Sequence, residues 1–425
     1  MKIKYIFETH FHADFVSGHL DLAKKTGAKI IYGPNAETAY QKHLAKDGEI
    51  FTLGKVTIKV LHTPGHTPES TTYLLKNAKG KDYAIFTGDT LFIGDVGRPD
   101  LAQKQGHISQ EDLAGWLFDS LRKKIMPLSD DVIVYPAHGA GSACGKNMSS
   151  ETWDTLGHQK ETNYALRANM SKKEFIKEVT EGLMAPPSYF SKNAKLNKTG
   201  YESIDVVMKR GVKGLSPREF ELIANETDAL ILDVRDKQEF VKGFIPNSIF
   251  IGLDGSFAPW VGALITDLKQ PILIVAPEGR NKETIKRLAR VGYDNAVGYL
   301  KDGFKSWKKE NREIDQIETV DVKKLEQVFT KELNILGVRK PTEFIGERIK
   351  GAQNFALDTI NNSMSEINKK KKYYLHCRSG YRSTIATSIL KARGFKNLIN
   401  VQAKFDDIAA SKIPTSDYVC PTTIG

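Results

Sequence analysis

The hydrophobic positions fall into two regimes. Up to about residue 185, short β-branched runs alternate with polar turns. Lys2–Phe7, Val56–Leu61, Tyr83–Phe86 and Val132–Tyr135 each read as a strand ending near a turn that carries His or Asp. Strand ends are rigid, so chemical groups on the loops that follow are held in place. From Ala185 to Thr199 the pattern dissolves into Pro, Ser, Asn and Lys, which predicts a linker over 186–200. Then Ala229–Val234 and Pro271–Val275 form continuous apolar runs of the buried-strand kind, and Glu283–Val291 has helical spacing.

This second regime occurs twice. Leu232-Asp233-Val234-Arg235, followed by Glu239-Phe240, matches Leu336-Gly337-Val338-Arg339, followed by Glu343-Phe344. Gly292-Tyr293-Asp294-Asn295 matches Gly394-Phe395-Lys396-Asn397. A single long offset means a domain duplication rather than a solenoid. Each copy reads β-α-β-α, hence a parallel sheet with helices on both faces. The expected organisation is a first domain over 1–185, a linker over 186–200, and two repeated domains over 201–313 and 317–415.

Composition narrows the function classes. At 425 residues and 40% hydrophobic, the chain can bury several cores. No apolar run approaches the roughly 18 residues of a membrane span. Met1 leads directly into a strand-like run, so a cytoplasmic protein with no leader and no membrane partner is expected. The net charge of +11 comes from scattered lysines. The one dense run, Lys369–Lys372, precedes a strand and reads as a solvated turn, so no nucleic-acid partner is expected. The charge instead suits small anions. Three cysteines, Cys144, Cys377 and Cys420, are too few and too odd for a disulfide framework and fit a reducing compartment.

Four turns carry metal-type residues: Thr9-His10-Phe11-His12-Ala13-Asp14-Phe15, His62-Thr63-Pro64-Gly65-His66-Thr67-Pro68-Glu69-Ser70, Thr87-Gly88-Asp89-Thr90 and Pro136-Ala137-His138-Gly139. Imidazole and carboxylate together suit zinc, iron or manganese. The order HxHxDx, HTPGHT, GDT, PAHG resembles the metallo-β-lactamase superfamily, whose two-metal members begin HxHxDH. Phe15 stands at that last position, and phenyl cannot bind a metal, which argues for a single ion.

The fuller text THFHADF, HTPGHTPES, TGDTLFIGDVGRPD and PAHGAGSACG is similar to the one-iron persulfide dioxygenases. That resemblance implies one Fe(II) per chain, with zinc as the alternative metal, on His10, His66 and Asp89. A face of two His and one carboxylate leaves positions open for dioxygen and a persulfide sulfur. It also implies a role beside the ligands for His12, Asp14 and His138, with a purely structural role left open for Asp14 and His138. Arg98 in GDVGRPD is a candidate anion contact or an ordinary loop ion pair. Cys144 is a candidate sulfur relay, a guard of the iron, or an inert buried thiol.

The second repeat holds Tyr373-Tyr374-Leu375-His376-Cys377-Arg378-Ser379-Gly380-Tyr381-Arg382-Ser383. An apolar strand runs into Cys, a Gly-containing loop and a helix. Loop N–H groups and the helix dipole can cradle an anion and favour a thiolate. This resembles the active loop of rhodaneses, in which the Cys carries a persulfide, and implies catalytic roles for Cys377, Arg378 and Arg382. The first repeat has Ala276 where Cys377 lies, and Glu278 beside it, so it is expected to be catalytically silent. Gly337 stands where Asp233 stands in the first repeat, and Arg348 where rhodaneses often have His.

Taken together the chain resembles a multidomain α/β protein: a metallo-β-lactamase αββα sandwich followed by two rhodanese-like domains with parallel sheets. The first motif begins at Thr9, so a strand pair and helix that usually precede it are expected to be missing. The implied partners are a small thiol persulfide, O2, sulfite and thiosulfate, with a homodimer as the expected assembly. The implied role is sulfide detoxification. Two other functions remain open: a zinc thioester hydrolase of glyoxalase II type, and a sulfur carrier without turnover. The thiol carrier is open among glutathione, bacillithiol, coenzyme A and inorganic polysulfide.

Overall fold

The computed structural model describes residues 2–103 and 107–419; Cys420 lies outside them. The chain divides into two compact units, residues 1–203 and 204–425. Among the described residues no helix is long and apolar enough to cross a membrane.

In the first unit, β1 (Tyr5–Phe7), β2 (Lys29–Tyr32) and β3 (His43–Leu44) form a parallel sheet. β4 (Ile50–Leu53), β5 (Val56–His62), β6 (Thr71–Lys76), β7 (Asp82–Gly88), β8 (Ile133–Pro136) and β9 (Asp154–Thr155) form a second sheet in that order. β4 to β7 run antiparallel, β8 joins β7 in parallel, and β9 pairs antiparallel.

The period of two along β1 divides its side chains between two cores. Tyr5 and Phe7 pack with Ile31, Phe51, Val60 and Tyr73 between the sheets, Phe7 standing edge-on to Phe51 at 5.3 Å and to Tyr73 at 4.9 Å. Ile6 turns outward to Ala28, Ile30 and Tyr32, under the helix His19–Thr26. The outer face of the larger sheet buries Leu61, Leu74, Ile85 and Val134 against Leu117 of the helix Gln110–Ser120 and Phe175 and Val179 of the helix Lys172–Thr180. The layers are therefore α, β, β, α.

Residues 186–200 are not a free linker. Phe190–Thr199 is a helix that buries Phe190, Asn193 and Asn197. Asn197 grips the first metal motif: its amide nitrogen donates to the carbonyls of His12 and Phe15, each at 2.8 Å, and its Oδ1 accepts from Ser17 N at 2.9 Å. The segment has few apolar residues, so its burial depends on these polar contacts rather than on an apolar stripe.

The second unit holds two sheets of one topology. β10 (Gly214–Leu215), β11 (Leu230–Asp233), β12 (Ile249–Phe250), β13 (Ile272–Val275) and β14 (Ala296–Leu300) lie in the order β10-β14-β13-β11-β12. β15 (Glu318–Val320), β16 (Ile335–Gly337), β17 (Gln353–Asn354), β18 (Tyr373–His376) and β19 (Leu398–Val401) lie as β15-β19-β18-β16-β17. All pairs are parallel. Each copy thus has five strands rather than the two expected; β10 and β12 in the first and β15, β16 and β17 in the second are only two or three residues long. β13 and β18 are central and fully buried, and the loop after each opens at the carboxyl edge, where parallel sheets bind ligands.

Candidate functional site

His10, His66 and Asp89 arrive from three strand ends, those of β1, β5 and β7. Each offers a donor atom, and the three lie within 4.8 Å of one another, all buried. His10 Nε2 is 3.7 Å and His66 Nε2 3.4 Å from Asp89 Oδ2. The other ring nitrogens are tied off. His66 Nδ1 lies 2.9 Å from the Arg98 carbonyl, which accepts only, so Nδ1 carries the proton and Nε2 is left as a lone-pair donor. His10 Nδ1 sits 3.0 Å from Thr9 Oγ1. The backbone around His10 is also fixed. Phe11 N donates to the buried Glu69 Oε1 at 3.1 Å, and Thr71 N to the Thr9 carbonyl at 2.9 Å. Gly97 has to lack a side chain, since a Cβ there would meet the Asp89 carbonyl at 2.0 Å.

His12, Asp14 and His138 form a second donor group, again within 4.8 Å, and Asp89, His138 and Cys144 a third. Phe15 stacks on the His12 ring with centroids 4.4 Å apart. Burial pushes His10 well below the ordinary imidazole range and His12 down to about 4, so both are neutral, as metal ligands must be. Burial works against a charged His138, but Asp89 at 3.4 Å and Asp14 at 3.6 Å lift it to about 9. Burial would raise Asp89, yet His10, His66 and His138 hold its carboxylate well below the usual range. Cys144 is buried, and burial with Asp89 and Asp14 nearby pushes its thiol well above its ordinary value. It is a poor nucleophile as it stands.

The Arg98 side chain is not a free anion contact. Its Nε and one terminal nitrogen bond Asp100 at 2.6 and 2.7 Å, and the guanidinium also donates to the carbonyls of Ala143 and Met184. A guanidinium with these partners has little left for a ligand. What Arg98 offers the centre is its carbonyl. Beside His66 opens a cleft of about 860 Å³. Phe11, Trp116 and Phe190 give it apolar wall, and its charged lining is mixed, Lys195 and Lys198 with Glu37, Glu69 and Asp100.

In the second unit, Cys377 directly follows β18, buried, with Sγ 3.7 Å from Ser383 Oγ. Gly380 has φ +80 and starts the helix Tyr381–Ala392. The equivalent Gly279 has φ +78, so the silent copy keeps the turn without the thiol. Arg382 is committed to Glu343 through two bonds of 2.6 and 3.0 Å, while Arg378 is exposed, 3.6 Å from Asp406. Of the two arginines only Arg378 is free to swing toward a ligand. Sequence reasoning passed over Glu69, although it lies within a quoted motif, and Asn197, for which the sequence holds no signal.

The metallo-beta-lactamase superfamily model matches residues 1–138, and the rhodanese-like domain model matches 216–310 and 321–410. A crystal structure of a metallo-beta-lactamase from Staphylococcus aureus is 30% identical, over 71% of this chain and 84% of that one, with a TM-score of 0.60. The chain belongs to the metallo-beta-lactamase superfamily and carries two rhodanese-like domains after the metallo-beta-lactamase fold. Among curated relatives, glyoxylase B2 of Dictyostelium discoideum is 32% identical over 42% of this chain and 63% of that protein. A hydroxyacylglutathione hydrolase of Brucella anthropi is 39% identical over 32% of this chain and 47% of that protein. The chain thus spans between about half and three-fifths of these relatives' length.

Proposed function

We propose that the protein is a persulfide dioxygenase joined to a sulfurtransferase. It takes a thiol persulfide, O2 and water to thiol and sulfite, and its Cys377 persulfide then converts sulfite to thiosulfate. The observation that carries this reading is Phe15, an aromatic ring stacked on His12 at the position where the two-metal motif has a ligand.

The donor set fits a single ion. Asp89 Oδ2 is buried without a hydrogen-bond partner and faces Nε2 of both His10 and His66, an arrangement that is costly unless a cation satisfies it. His10, His66 and Asp89 would hold Fe(II). Bound there, the iron would supply adjacent open positions for dioxygen and a sulfur ligand. The protein's own part is to orient and exclude. The Arg98 carbonyl fixes the His66 tautomer, and Glu69 and Asn197 fix the His10–Phe15 loop. His12 Nδ1 is buried without a hydrogen-bond partner and is free to orient a bound oxygen or sulfur group, while His138 Nε2 lies between the Asp89 and Asp14 carboxylates. The cleft beside His66 takes the thiol carrier.

At Cys377, a sulfite lone pair attacks the outer sulfur of the persulfide. The S–S bond breaks and its electron pair returns to Cys377 Sγ, releasing thiosulfate. Sulfite formed in the first unit is the natural acceptor. The test is O2 uptake by the iron-loaded full chain with glutathione persulfide, with sulfite measured as product. No uptake with any low-molecular-weight persulfide rules the reading out.

A second reading, a zinc thioester hydrolase, is favoured by the hydroxyacylglutathione hydrolase relatives and by the surviving His12–Asp14–His138 group. Metal content separates the two: one iron per chain supports the dioxygenase, two zincs the hydrolase.

A further inference from the structure

The silent rhodanese copy reaches into the sulfur loop of the live one. Three successive loop carbonyls are each held from outside. Phe405 N donates to the Arg378 carbonyl at 2.9 Å. Lys237 Nζ, from the silent copy, donates to the Ser379 carbonyl at 2.5 Å. The hydroxyls of Ser383 and Thr384 donate to the Gly380 carbonyl at 3.2 and 2.7 Å. In a planar trans peptide the following N–H points opposite to its carbonyl. Fixing these carbonyls therefore turns the N–H groups of Ser379, Gly380 and Tyr381 to the other side of the loop. Among the described residues none of these three N–H groups has a hydrogen-bond partner.

The next residue is also seated in the silent copy. Tyr381 donates its hydroxyl to the Gly252 carbonyl at 2.9 Å and stands edge-on to Phe250 at 5.9 Å. Its ring lies so close to Gly255 that a Cβ there would come within 2.2 Å of it. A residue that opens the catalytic helix is thus placed by two glycines of a domain with no nucleophile. Beside the Ser379 bond, Gln238 of the silent copy donates to Gln402, whose Oε1 would be 3.0 Å from a Cβ on Gly380.

We propose that the silent copy is a working part of the sulfur-transfer site. Lys237 and the Gly252–Gly255 turn are positioning elements that aim three free N–H groups of the Cys377 loop at an anionic sulfur species. This rests on the sulfurtransferase reading of Cys377. It explains why the silent copy keeps its fold after losing its own thiol: its loss would untie the Ser379 peptide and unseat Tyr381. Lys237 does not touch the reacting atoms. It acts through the backbone, so its removal weakens binding of the anion more than it slows transfer.

The experiment uses the full chain, thiosulfate as sulfur donor and cyanide as acceptor. Intact mass first counts the sulfur carried by Cys377. A wild type that gains no sulfur refutes the sulfurtransferase reading itself, before any variant is compared. Given loading, Lys237→Ala is expected to raise the KM for thiosulfate about fivefold with kcat within about twofold, the size expected for one partly exposed charge-assisted bond. Lys237→Arg, which still donates, is expected to restore most of it. Gly255→Ala should reproduce the Lys237→Ala effect by displacing Tyr381. The proposal is overturned if Lys237→Ala keeps the wild-type KM, or if Lys237→Arg behaves like Lys237→Ala. Should Gly255→Ala fail to fold, the two Lys237 variants decide alone.

Discussion

The two rhodanese copies share one topology and one left-handed glycine, yet treat their buried polar groups in opposite ways. In the silent copy, Asp233 is fully buried and satisfied by Arg235 through bonds of 2.6 to 3.0 Å, and Arg280 closes the loop by pairing with Asp254 and Glu283. In the live copy, Gly337 replaces that aspartate and the Phe344 ring fills the space, with His376 beside it and both its ring nitrogens buried and unbonded. Burial holds His376 at about 4, so it is neutral and adds no charge beneath the loop. The silent loop also begins with Pro277, which has no N–H to offer an anion. The lesson is that a fold freed from chemistry closes its polar groups on one another, while a working site leaves some of them open.

That contrast can be broken at several points. The largest effect is expected at the thiol. Cys377→Ser should lower thiosulfate formation at least about a thousandfold. Adding Ala276→Cys to that variant should not restore it, because the Arg280 backbone N–H is already bonded to the Pro277 carbonyl at 3.1 Å and the Glu278 carboxylate repels an anion. Recovery of activity in a thiosulfate–cyanide assay would show that the two loops differ by the thiol alone. Next in size is the metal centre. Asp89→Ala should reduce bound iron at least about tenfold by elemental analysis, while Cys377 still takes up sulfur.

The stability contrast is smaller. Asp233→Ala strands Arg235 in the core and should cost about 3–5 kcal/mol, seen as a lower midpoint in urea. His376→Val removes two unbonded nitrogens and should cost under about 1 kcal/mol, as the lost packing is offset by the lost polar burial. Equal costs would contradict the difference drawn here. A pH-dependent effect is expected at Glu8, buried and bonded to Ser17 Oγ at 3.0 Å, whose carboxyl burial raises from 4.5 to about 7. A raised acid is protonated in the fold while the unfolded chain has released its proton. Its contribution is therefore full below about pH 4.5 and is lost as pH rises toward 7. Glu8→Gln should flatten that part of the stability–pH curve, as followed by melting temperature.

Much of this was legible in the sequence, for identifiable reasons. His10, His66 and Asp89 each follow a strand, and strands fix where their ends lie. The duplication was readable because Leu-x-Val-Arg and Glu-Phe sit at matching core positions in β11 and β16 and the helices after them. Arg98 stayed open between an anion contact and a loop ion pair, because its pairing with Asp100 depends on how the GDVGRPD loop folds back. The helix Phe190–Thr199 was missed because it is held by Asn197 against a loop distant in sequence, not by its own apolar stripe. Lys237 could not be found at all, since its role exists only when two separately readable domains meet.

The central claim is that the metallo-β-lactamase unit oxygenates rather than hydrolyses. The most direct measurement is O2 consumption by the purified full chain, carrying one iron, with a thiol persulfide in an oxygen electrode. The account predicts one O2 consumed per sulfite formed, counting sulfite recovered as thiosulfate, and neither in Asp89→Ala. Absence of O2 uptake by the iron form, together with thioester cleavage by a two-zinc form, would contradict it.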